Sequence, residues 1–85
     1  MQHVLVKNTY HCDLIECPDN IVKYLAQYQG EFDKWANDHD YIVSLETFVE
    51  WVNSQYLSEC KQKIFILSIG FTPSSEQLKL PFIYY

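Results

Sequence analysis

Five apolar residues, Ile21, Leu25, Tyr28, Phe32 and Trp35, recur at steps of four, three, four and three. Only a helix with 3.6 residues per turn gathers that spacing onto one face, so the rest of the chain must supply an apolar surface for that face to cover. Pro18-Asp19-Asn20, just upstream, carries a helix-start signal. Gly30 falls inside the pattern and weakens it by roughly 1 kcal/mol relative to Ala. A helix continuous to about Asn37 is predicted, with a break near Gly30 as the alternative. Asp38-His39-Asp40 reads as a connector. Ser44 then offers a hydroxyl to cap a second helix, with Glu46 in the first turn, where the helix dipole favours negative charge. Leu45, Phe48, Val49, Val52 and Tyr56 form the stripe this helix buries, and Trp51 stands beside it.

The flanking segments have a different period. His3 to Cys17 is rich in β-branched and apolar residues and predicts a strand, most simply a hairpin turning at Lys7-Asn8-Thr9, with one bent strand as the alternative because the turn lacks glycine. Lys63 to Phe71 is too short and too rich in β-formers for another long helix, and predicts a central strand buried on both faces. Thr72 to Gln77 supplies turn residues. Leu78 to Tyr85 then runs back as a last strand, confined to an edge by Pro81, which cannot donate to a ladder. A chain of 85 residues holds one core. The expected fold is therefore one α+β domain over residues 1–85: a small, mostly antiparallel sheet of three to four strands with two helices packed on one face. Aromatic residues make up 16% of the chain, so some of Tyr10, Trp51, Tyr84 and Tyr85 are expected to stay exposed as a partner surface.

Several classes of function are disfavoured. Ile64-Phe65-Ile66-Leu67 is the longest apolar run and falls far short of the ~20 residues that cross a bilayer. The first residues, Met1 to Lys7, lack the apolar run and cleavage site of a secretory signal. Cys12, Cys17 and Cys60 form an odd set without a disulfide-framework spacing, which predicts reduced thiols in a soluble, cytoplasmic protein. His3, His11, His39 and the cysteines include metal-ligand types, but no C-x-x-C or H-x-x-x-H pair occurs and Asp33, Asp38 and Asp40 do not follow a calcium-loop pattern. No metal and no cofactor are expected. The neighbours His11 and Cys12, and the run Asp38-His39-Asp40, are the arrangements closest to a nucleophile or an acid–base pair. Neither specifies the third, orienting group that such chemistry requires, so the chain is not expected to be an enzyme.

Charge is the most informative feature for function. Residues 31–50 hold Glu31, Asp33, Asp38, Asp40, Glu46 and Glu50 against Lys34 alone, so the whole formal charge of −5 resides there and the remainder is neutral. All six basic residues are lysines, and this balance opposes direct nucleic-acid binding, which needs clustered Lys and Arg. An acidic pole instead attracts a basic protein. Trp35 and Trp51 flank the acidic stretch and suit an interface centre. A solvated helix face that keeps the chain soluble is the competing explanation. In size and charge the chain resembles toxin-immunity proteins, antitoxins and phage-encoded inhibitors of the anti-CRISPR and nucleic-acid-mimic kind, without sharing a motif residue by residue. That resemblance implies a non-enzymatic protein that inhibits or sequesters a basic partner, such as a nuclease or another nucleic-acid-binding protein, through Glu31, Asp33, Asp38, Asp40, Glu46, Glu50 and Trp51. The alternative is an assembly module, a homodimer joined through the edge strand from Pro81 to Tyr85 and the exposed aromatics.

Overall fold

The computed structural model describes residues 1–85. Strands β1 (Gln2–Lys7) and β2 (Cys12–Cys17) form the expected hairpin. Its loop closes through Asn8, whose backbone N–H donates to the His11 carbonyl at 3.1 Å and whose Oδ1 accepts from the His11 N–H at 3.2 Å. This is how the turn forms without glycine. A helical run follows, as a tight 3₁₀ stretch over Asp19–Tyr24 that continues into α1 (Leu25–Asp38). The predicted helix is thus present, and its irregularity lies at the start, not at Gly30. Asn20, Ile21 and Val22 are weak helix formers, whereas Gly30 sits within α1.

Helix α2 (Leu45–Gln55) starts at Ser44. The Ser44 hydroxyl accepts from the Thr47 N–H at 3.2 Å, and the Thr47 hydroxyl accepts from the Ser44 N–H at 2.9 Å. This reciprocal cap satisfies two donors that the first turn leaves free. Strand β3 (Phe65–Phe71), a short 3₁₀ turn at Gln77–Lys79 and strand β4 (Phe82–Tyr84) complete the chain.

The sheet has the order β3-β2-β1-β4. β1 and β3 each pair antiparallel with β2, and β4 pairs parallel with β1. The α+β class, the mostly antiparallel sheet and its four strands match the reading of the sequence. Alternation along the strands directs Val4, Val6, Ile15, Cys17 and Ile83, joined by Ile64 just before β3, into one cluster with Leu25, Phe32, Phe48 and Val52 of the helices. Leu5 and Leu14, paired across the hairpin, are buried outside that cluster.

Three expectations need correction. β3 is an edge strand, not a central one: Phe65, Leu67 and Ile69 are 56%, 46% and 58% exposed. The last strand shortens to three residues because the 3₁₀ turn takes up part of the return, although Pro81 does stand at an edge and its carbonyl accepts from the Leu5 N–H at 2.9 Å. Tyr56 does not belong to the buried stripe. Helix α2 stops at Gln55, Tyr56 becomes its exposed cap, and Leu57 fills the core position instead.

Two polar clamps fix these edges. The Asn53 side chain donates to the Ile64 carbonyl at 3.1 Å and accepts from the Ile64 N–H at 2.9 Å, tying α2 to the start of β3. The buried Asp13 carboxylate accepts from the Gly70 N–H at 2.9 Å. Gly70 has φ 69°, within an irregular stretch where β3 slips register against β2. A side chain there is strained whatever room it has.

Candidate functional site

Helix α1, the connector after it and α2 enclose a shallow cleft of about 250 Å³. Trp35 and Tyr41 line it from the α1 side, and Thr47, Glu50, Trp51 and Ser54 from the α2 side. Periodicity produces this arrangement. Phe32 and Ala36 take the buried positions of α1, so Trp35 falls on the rim of the core. On α2 the buried positions are Phe48, Val49 and Val52, which leaves Glu50 exposed and Trp51 half-buried.

The cleft is aromatic in depth. Trp35 and Trp51 lie 6.3 Å apart between ring centroids, and Phe32 packs 5.6 Å from Trp51. The Tyr41 ring meets Trp35 edge-on at 5.3 Å. His39 stacks on Trp35 at 4.5 Å, and its Nδ1 donates to the Trp35 carbonyl at 2.8 Å. Asp40, between these two rings, adopts φ 52°, a left-handed conformation that Asp tolerates better than most residues. Trp51 Nε1 is buried and is the one buried side-chain nitrogen or oxygen without a hydrogen-bond partner. A buried donor without a partner costs about 1–3 kcal/mol.

The acidic residues divide. Glu31 is engaged on the surface of the helical layer: its carboxylate accepts from the Tyr56 hydroxyl and from Gln27 Nε2 at 3.0 Å. The Tyr56 bond, then the Gln27 bond, keeps its pKa below the usual carboxylate value, and the same contact pushes Tyr56 up to about 12. Asp33 leaves α1 on another side, where its charge is felt by Tyr85, a hydroxyl raised mainly by burial that donates to the Ser44 carbonyl at 3.1 Å. Asp38 ends α1, Asp40 lies in the connector, and Glu46 and Glu50 are one turn apart on α2. All four are exposed. The chain's ion pairs join Met1 to Asp19, His3 to Glu16 and His11 to Asp13, so no carboxylate of residues 31–50 has a cationic partner.

Of the residues singled out by sequence, Glu50 and Trp51 share the cleft, Asp38 and Asp40 are the chain neighbours of His39, which stacks on the cleft residue Trp35, and Glu31, Asp33 and Glu46 do not line it. Sequence reasoning missed Tyr41, and it considered His39 for metal binding and acid–base chemistry but not as a stacking partner. The spacing of four between Trp35 and His39, one helical turn, was the available signal. A second cavity of about 280 Å³ is lined by Pro18, Asn20, Leu57, Cys60 and Lys61 and brings together no group of carboxylates or aromatic rings. No three His, Cys, Asp or Glu residues are placed to hold a metal ion. The Cys17 thiol, pushed up to about 12 mainly by burial and then by the Asp19 charge, stays protonated. No helix is long and apolar enough to cross a membrane.

Fold and site together define an α+β domain with an aromatic cleft beside unpaired carboxylates. No protein-family model, curated protein or solved structure matches the chain.

Proposed function

We propose that this chain is a non-enzymatic binding protein that docks onto a basic protein and occludes it, with a nuclease or another nucleic-acid-binding protein as the partner class. The observation that carries the reading is the absence of internal ion pairs in the acidic segment: Asp38, Asp40, Glu46 and Glu50 are exposed, and every ion pair in the chain uses an acid from elsewhere. Exposed carboxylates that no lysine pairs project negative potential into solvent, where it steers a cationic surface toward the protein. Acidic groups so displayed occupy the place where phosphates would sit on a nucleic-acid-binding protein. The cytoplasm is the compartment this reading requires.

Binding to a basic ribonuclease, followed by calorimetry from low to high salt, tests it. The wild-type chain binds with an affinity that falls steeply as salt rises, and a variant carrying Asp38→Asn, Asp40→Asn, Glu46→Gln and Glu50→Gln loses most of that binding while keeping its circular dichroism. Equal binding by both chains, or none by either, would overturn the proposal.

A further inference from the structure

Resting on the docking reading, and giving it a point of contact, we infer that the cleft between α1 and α2 is a receptor for one arginine side chain of the partner. The cavity suits a single side chain: about 250 Å³ lies below the roughly 300–1,000 Å³ of small-molecule sites. Its walls suit a cation. Tyr41 and Trp51 supply aromatic surface, and Glu50 stands at the same cleft as an exposed carboxylate with no lysine or histidine within ion-pair distance.

A guanidinium fits this combination better than an ammonium. It is planar, lies flat on aromatic rings, gives a two-pronged hydrogen bond to a carboxylate and sheds its hydration more easily. Within the chain, a nitrogen ring already stacks at the cleft's edge: His39 lies on Trp35 at 4.5 Å between centroids. That stack occupies one face of Trp35, so the incoming group rests on Tyr41 and Trp51 with Glu50 as its counter-ion and Trp35 beside it. A phosphate or nucleotide is disfavoured at the same place by Glu50 and by the five net negative charges of residues 31–50.

The test is nuclear magnetic resonance of the whole chain, titrated with N-acetyl-arginine methylamide and separately with its citrulline counterpart, which keeps the shape and lacks the charge. The indole N–H resonances of Trp35 and Trp51 shift and saturate with the arginine compound in the millimolar range, and citrulline binds at least tenfold more weakly. Glu50→Gln weakens arginine binding about tenfold. Tyr41→Leu, at a residue 48% exposed, weakens it by a similar factor while its circular dichroism matches that of the wild-type chain. Indoles that do not respond, equal binding of citrulline, or indifference to both substitutions would overturn the inference. If the indoles ignore arginine while the four-amide variant still loses the basic ribonuclease, docking stands and this cleft is not its anchor. If neither the arginine compound nor the ribonuclease binds, both readings fall together.

Discussion

At the scale of single residues, the Glu31–Tyr56 contact shows that one of the acidic groups is structural. A carboxylate whose pKa is lowered by a hydroxyl donor stabilises the fold above its ordinary value, near pH 4.3, and this contribution fades as pH falls through the lowered folded value. On the alkaline side the sign reverses. Tyr56, pushed up to about 12, favours the fold below its ordinary value near 10 and loses that effect as pH climbs toward 12. Tyr56→Phe keeps the stacking on Tyr28, whose ring lies 4.1 Å away, and deletes only the hydroxyl. Its denaturant midpoint is therefore expected below that of wild type at neutral pH, with the difference closing at acidic and strongly alkaline pH. A difference that stays constant across the titration would show that the contact contributes nothing.

At the scale of elements, both helices were legible because their apolar spacing is regular and their boundaries carry chemistry. Ser44 is the example: its capping role follows from a hydroxyl placed just before an apolar stripe. Ser44→Ala is expected to cost about 1 kcal/mol, read as a fall of roughly 4–8 °C in Tm for a domain of this size. Gly30→Ala goes the other way. An added Cβ meets nothing within 4 Å, so the substitution relieves the helix penalty and stabilises by about 0.5–1 kcal/mol. Gly70→Ala, at φ 69°, forces a side chain into the left-handed region and is expected to destabilise by about 1 kcal/mol or more. Thermal melts of the three variants, ranked Gly30→Ala above wild type and the other two below, check this account.

The strands were legible as strands but not in their order. A run such as Phe65-Ile66-Leu67 looks buried because composition cannot distinguish a central strand from an edge, and strand order depends on pairings between residues far apart in sequence. The cleft was half legible for the same reason. Glu50 and Trp51 were visible as charge beside an aromatic, whereas Tyr41 reaches Trp35 only because Asp40 takes a left-handed turn.

At the scale of the whole molecule, two edges and one charged segment decide how the protein meets others. The β4 edge is short and follows Pro81, and Lys7 lies over the Phe82 ring at 3.8 Å; proline and lysine both discourage strand addition. The β3 edge carries exposed apolar residues, but its register slips and Gly70 disturb the regular ladder a second copy would need. The homodimer alternative therefore has less to work with than the acidic segment, whose exposed carboxylates pair with no lysine. The most direct measurement is the association rate constant with a basic ribonuclease as a function of ionic strength, by stopped-flow tryptophan fluorescence. Electrostatic docking predicts a rate that falls at least tenfold from low to physiological salt for the wild-type chain and a slow, nearly flat response for the four-amide variant. A wild-type rate indifferent to salt, or a variant as fast as wild type, would contradict it.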